Sequence, residues 1–473
     1  MVFSSVNFLF AFLPALLICY FAIPRRCRAA RNGVLLAFSL AFYACGGPKL
    51  LGLMLVSIAV NYCSGRLSAP GRKCRKACMV LTVAVNLGLL GYFKYANFFM
   101  ENLSLLGLPV SVPNITLPIG ISFFTFQGMS YALDVYRGDA EAEKNPFRVA
   151  LYIALFPQLV AGPIVRYTTV AGEIIDRRES LSESGNGAVR FCLGLAKKML
   201  LANALGQIAD AAFGAGAMLT TSMAWLGAIA YTGQIYFDFS GYSDMAIGLG
   251  RVFGFHFLEN FNYPYISRSA TEFWRRWHIS LSTWFRDYVY IPLGGNRCGR
   301  RKQVRNILTV WLLTGMWHGA AWNFILWGLY YGLLLLGEKF LWGGVLEKAP
   351  GVLRHLYALL LIILGWTLFR AESLAGVGTM AAALFGSAPA GLWSGETLYY
   401  LSEFRWELLL AIPASLPVGS WVRDALERRE WNWSRPASAV LILGPRVLAL
   451  GLFGLSVLSL LGSSFNPFIY FRF

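Results

Sequence analysis

The sequence predicts an all-α, polytopic integral membrane protein, with about ten to twelve transmembrane or re-entrant helices around a central cavity. Three observations carry that expectation. Of 473 residues, 57% are hydrophobic and 14% charged, where a soluble domain carries about a quarter charged. The apolar residues form long blocks along the whole chain, and mean hydropathy is +0.54. Many of those blocks are short or cut by Pro or Gly, which a bundle of simple lipid-facing spans does not need.

The net charge of +17 is placed between apolar blocks, as in the cytoplasmic loops of a polytopic protein. That placement argues against a nucleic-acid partner. The first block, Val6–Ile23, has no Lys or Arg before it, so it lacks the charged start of a cleaved signal. Arg25, Arg26, Arg28 and Arg31 follow it. They hold its C-terminal end in the cytoplasm and leave the N-terminus outside.

Blocks two (Val34–Cys45) and three (Leu50–Cys63) flank a Gly-Gly-Pro-Lys break at 46–49 and read as a hairpin between two basic loops. The second loop carries Arg66, Arg72, Lys73, Arg75 and Lys76. Block four, Met79–Phe93, exits to a weakly charged external segment near 101–116. Breaks at Leu117-Pro118-Ile119-Gly120, Phe156-Pro157 and Ala161-Gly162-Pro163 must be covered by protein or line a water-filled cavity.

Later apolar blocks lie near 149–164, 191–213, 223–256, 306–341, 352–369, 375–393, 399–418 and 437–463. Polar stretches at 166–190 and 419–436 are too short for separate domains. No internal repeat appears, so the chain reads as one membrane domain over 1–473. The eight cysteines show no zinc-type spacing. No metal site is expected, and thiols near basic, cytoplasmic loops stay reduced.

Residues 271–305 carry eight basic and two acidic side chains, interleaved with Phe273, Trp274, Trp277, Trp284, Phe285, Tyr288 and Tyr290. Arginine alternating with aromatics fits a helix in the membrane interface. It also fits a site where arginines grip phosphates, with the Pro292-Leu293-Gly294-Gly295-Asn296 turn allowing close backbone approach.

Of the four histidines, His256 and His355 sit in ordinary block-edge contexts. His318 lies in a fifteen-residue stretch, 310–324, with no formal charge. An ionisable group inside a membrane block marks function, and neutral imidazole suits a general base. Gly315 and Gly319 would leave room for a substrate beside the ring. A core histidine bonded to a carbonyl fits the same residues.

Asp238 and Asp244, in Tyr236-Phe237-Asp238-Phe239-Ser240-Gly241-Tyr242-Ser243-Asp244, must face protein or water. They would orient His278 or His318, pair with Arg275 or Arg276, or form a packing network. Gln127, with Tyr131 and Asp134, has the same two readings. The pattern Gly248-x-Gly250-x-x-x-Gly254 reads as small-residue helix packing. There is no Walker-type loop, no HExxH and no GxSxG.

These motifs resemble the membrane-bound O-acyltransferase family, and closely its bacterial alginate O-acetyltransferase subfamily. The likeness rests on Pro118–Gln127, Tyr236–Ala246, Glu259–Tyr265, the 271–296 run and Thr314–Gly319, and it extends to Met1–Ser5 and Phe468–Phe473. It implies a funnel-shaped helical fold thinned at its centre, a catalytic region near 115–340 and C-terminal spans near 352–463. It makes His318 the catalytic base and His278 a second active-site histidine. Arg275, Arg276, Trp277, Asn296 and Arg297 fall on the acyl-CoA side, with Asp238, Asp244, Tyr236 and Gln127 in support.

The implied donor is acetyl-CoA, used as substrate, with no bound cofactor or metal. The implied acceptor is a periplasmic or extracellular partner that passes acetyl to a polysaccharide such as alginate. The implied location is the bacterial inner membrane. Two other classes compete on residues alone: a transporter or flippase of acyl or glycan intermediates, and a non-catalytic scaffold.

Overall fold

In a computed structural model, residues 1–427, 435–462, 468 and 469 are described. The described residues are helical, with no strand among them. The polar stretch 419–436 and the C-terminal motif Phe468–Phe473 lie partly outside them.

Four described helices are long and apolar enough to cross a membrane: Lys49–Ser68, Arg75–Leu105, Gly351–Arg370 and Leu443–Gly462. Shorter apolar helices include Phe8–Ala22 and Leu374–Leu384. Helix Thr221–Val252, 32 residues long, extends about 48 Å at 1.5 Å per residue.

The breaks read from the sequence are real. Gly120, at φ +74° and just ahead of helix Ile121–Arg137, takes a left-handed conformation. A Cβ there would also lie 2.7 Å from the Leu159 carbonyl oxygen, so only glycine fits. The 149–164 block is two short helices, Pro146–Ala154 and Phe156–Leu159. Pro157 is the second residue of the latter helix, where its missing N–H costs nothing in a first turn. The 306–341 block likewise splits into Arg300–His318 and Trp322–Phe340.

The chain forms two compact units. The first comprises residues 1–191 and 242–258; the second, 192–241 and 259–473. In the first unit the predicted glycine packing is present. A Cβ on Gly248 would lie 2.5 Å from the Gly187 carbonyl oxygen, and one on Gly187 would lie 2.5 Å from that of Gly248. This unit also gathers the basic residues after the first apolar block. Glu179 pairs with Arg28 at 2.5 Å and Arg31 at 3.1 Å and accepts from the Tyr20 hydroxyl. Burial works to raise the Glu179 carboxyl, but hydrogen bonds from Arg28 and Tyr20 outweigh it and hold it near about 2.

All eight cysteines are free thiols.

Candidate functional site

The second unit contains a cavity of ≈ 1130 Å³. Four short elements, Ala270–Arg276, Ile279–Phe285, Arg286–Tyr290 and Gly343–Lys348, and parts of the longer helices Arg300–His318, Trp322–Phe340 and Gly351–Arg370 build its wall.

Helix Ala270–Arg276 starts where Ser269 accepts a hydrogen bond from the Glu272 backbone N–H at 3.0 Å. Glu272 reaches back to the Arg268 N–H at 2.9 Å. Ser-x-x-Glu is the spacing of a capping box, a signal overlooked in the sequence. Two further donors at this helix start, the N–H groups of Ala270 and Thr271, go to the Glu338 carboxylate at 2.7 and 2.8 Å. The Thr271 hydroxyl joins them at 2.5 Å. Glu338, nearly buried, thus anchors the arm that carries the arginines.

His318 is the last residue of helix Arg300–His318. Its ring meets Trp327 at 5.0 Å and Phe369 at 5.2 Å, both edge to face. Asn323 sets that second contact, because its amide donates to the carbonyls of Phe369 and Ala371. His278 joins the 270–276 and 279–285 helices. Its side chain is almost fully buried, and burial pushes its pKa down to about 3. Both imidazoles line the cavity. Trp317 touches each, 5.8 Å from His278 and 5.0 Å from His318.

The glycines beside His318 do something other than make room for substrate. A Cβ on Gly315 would lie 2.3 Å from the Phe324 carbonyl oxygen, and one on Gly328 would lie 2.4 Å from that of Trp311. Gly319 is filled against the Phe324 ring. The small residues bring the 300–318 and 322–340 backbones into contact. Gly315→Ala should therefore lower stability by about 1–3 kcal/mol, read as a fall in melting temperature of the detergent-solubilised protein. A melting temperature equal to wild type would contradict that packing role.

Arg275, Arg276 and Asn296 line the cavity, together with Arg286, Lys339 and Arg354, which the sequence did not single out. Their charges are not equally available. Arg276 is paired with Glu272 at 3.0 Å and Arg286 with Asp287 at 2.7 Å. Lys339 is bound to Asn296 Oδ1 at 2.6 Å. Arg275 and Arg354 have no carboxylate partner among the described residues. Arg354 escaped notice because it lies near the start of an apolar block, about 80 residues from the arginine-rich arm.

Trp277 and Arg297 do not line the wall. Trp277 packs behind it, 4.7 Å from Trp366 and 5.0 Å from Phe261; Arg297 is exposed. Tyr236 lies in the same aromatic cluster, 5.2 Å from Tyr265.

The acidic residues serve other partners than the imidazoles. Asp238 forms a 2.5 Å ion pair with Lys198, in the π-helical turn Lys197–Ala202, and accepts from the Ile469 N–H at 2.6 Å. Asp244 pairs with Arg190 at 2.8 Å, within the first unit. Buried Asp238 and half-buried Asp244 are each neutralised by a nearby cation, as removal from water demands. Gln127 is also in the first unit, fully buried, and its main-chain carbonyl accepts from the Tyr152 and Ser130 hydroxyls. The group at His278 is Asn260, whose Oδ1 lies 3.2 Å from Nδ1. His256 binds Glu173, and His355 meets the Ser267 carbonyl.

Two imidazoles, an aromatic wall and a rim with unpaired arginines suit transfer between a phosphate-bearing substrate and a second substrate at the rings. The comparisons bear on which transfer this is. The chain is 43% identical to the probable alginate O-acetylase AlgI of Azotobacter vinelandii, over 100% of both chains. It is 33% identical to the peptidoglycan O-acetyltransferase of Helicobacter pylori, over 86% of this chain and 83% of that one. It is 30% identical to the teichoic acid D-alanyltransferase of Bacillus subtilis, over 48% of this chain and 60% of that one.

Residues 142–380 match the MBOAT, membrane-bound O-acyltransferase, family. That span contains both histidines and the whole cavity wall. This protein therefore belongs to the membrane-bound O-acyltransferase family and is an O-acyltransferase.

Proposed function

We propose that this enzyme moves an acetyl group from cytoplasmic acyl-CoA across the membrane to a hydroxyl acceptor, with His318 as general base. The observation that carries the reading is that His318, His278 and the two unpaired arginines, Arg275 and Arg354, share one cavity wall. The acceptor belongs to the modification of an exported or cell-surface polysaccharide, such as alginate, through a periplasmic or extracellular partner. The relatives named for alginate and peptidoglycan O-acetylation support this. The basic loops support an inner-membrane location with the N-terminus outside. The interrupted helices support a funnel thinned at its centre.

The His318 imidazole takes the proton of the acceptor hydroxyl as its oxygen adds to the thioester carbonyl. The tetrahedral intermediate collapses, the C–S bond breaks, and the imidazolium returns its proton to the coenzyme A thiolate. Free coenzyme A leaves on the cytoplasmic side. Holding both substrates at one ring supplies proximity. Arg275 and Arg354 grip donor phosphates, where guanidinium geometry matches the oxygens.

The test uses purified protein in proteoliposomes with labelled acetyl-CoA, following release of coenzyme A and acetyl transfer. Release should match transfer one to one. Arg354→Ala should raise the donor KM about tenfold, the worth of one charged hydrogen bond, with kcat within about threefold. Acetyl transfer without coenzyme A release, or an unchanged donor KM, would sink the assignment of donor or of Arg354.

A further inference from the structure

His278 occupies an unusual place in the backbone. Its φ is 44° and its ψ 55°, a left-handed conformation that costs a non-glycine residue roughly 1–3 kcal/mol. Asn260 stabilises it from both ends. Its carbonyl accepts from the Ile279 N–H at 3.0 Å. Its side-chain Oδ1 accepts from the Ser280 N–H at 3.2 Å and the Ser280 hydroxyl at 2.9 Å.

Those two donors decide which end of the Asn260 amide is oxygen, since a backbone N–H can only donate. The same Oδ1 lies 3.2 Å from His278 Nδ1. An acceptor at that distance requires the hydrogen on Nδ1. The Ser280 oxygen, 3.4 Å from Nδ1, has its proton committed to Asn260 and also acts there as acceptor. Phe239 and Trp317 set the ring plane edge to face, at 4.7 and 5.8 Å. A neutral ring with Nδ1–H carries its lone pair on Nε2.

We propose that Asn260 is a positioning residue: it fixes His278 as the Nδ1–H tautomer, so that Nε2 accepts a hydrogen bond from an O–H or N–H group of bound substrate. The inference rests on the cavity being the acyl-transfer site. It divides the work between the two rings: His318 moves the proton, and His278 stays neutral and orients.

A double-mutant cycle on the full-length protein in proteoliposomes tests it, with acetyl-CoA as donor and folding checked by thermal melting. Asn260→Ala and His278→Ala should each lower kcat about tenfold or more, the worth of one neutral hydrogen bond, with donor KM within about threefold. The double variant should be no slower than His278→Ala beyond about twofold, because one residue acts through the other. Asn260→Asp keeps the acceptor oxygen and should recover most of the rate; Asn260→Leu should not. Losses that multiply in the double variant, an Asn260→Asp as slow as Asn260→Ala, or a silent His278→Ala would each overturn the proposal. A silent His318→Ala would instead overturn the base assignment and leave this cycle readable.

Discussion

His318→Ala is expected to lower kcat for acyl transfer by about 10²–10⁴-fold, the usual share of a positioned general base. The loss should fall on kcat and leave the donor KM within about threefold, because the proton moves only in the transition state. The ring is buried at a helix end, between Trp327 and Phe369, so alanine also leaves a small void. His318→Gln fills most of that void with a group that cannot take up a proton. It should melt near wild type and remain as slow as His318→Ala. Labelled-acetyl transfer by purified protein reads the rate, and a thermal scan reads the fold. A His318→Ala protein working at the wild-type rate would remove this residue from the reaction.

The second large effect is expected at Glu338, which binds the start of the 270–276 helix rather than either imidazole. Its carboxylate accepts from the backbones of Ala270 and Thr271, from the Thr271 hydroxyl, and from Tyr357 at 3.3 Å. Alanine would leave two helix-start N–H groups unsatisfied in a mostly buried place, at about 1–3 kcal/mol each. Glu338→Ala should therefore lower stability by about 3 kcal/mol or more. It should also weaken activity, because the freed arm carries Arg275, Arg276 and His278. Glu338→Gln keeps one acceptor oxygen and should fall between alanine and wild type. An Ala variant with wild-type melting and turnover would show that the arm holds itself.

The sequence made parts of this site legible and hid others, for identifiable reasons. His318 stood out because a lone imidazole in an uncharged stretch is costly unless used. Arg275 and Arg276 stood out because arginine and aromatics alternate there; His278 was marked only by the family resemblance. The helix breaks were legible because Pro and Gly act locally. Asn260 was quoted only as part of a motif: nothing local shows that its amide oxygen meets a ring eighteen residues on. Arg354 was hidden for the same reason. Asp238 and Asp244 were legible as acids that face protein or water but not by partner, since Lys198 and Arg190 come from other segments. Gly315 and Gly319 were read as space, whereas the neighbouring helix and the Phe324 ring fill it.

The contact of the 300–318 and 322–340 backbones at Gly315 and Gly328 has a mechanical consequence. Helices cushioned by long side chains can shear, because those side chains change rotamer as the axes slip. Here carbonyl oxygens sit where a Cβ would be, and a slip of one residue would drive side chains of the next register into main chain. The pair is keyed against sliding, so His318 is a stationary point. The short-helix arm at 270–285 is held in another way, by hydrogen bonds to Glu338 at one end and to Asn260 near the other.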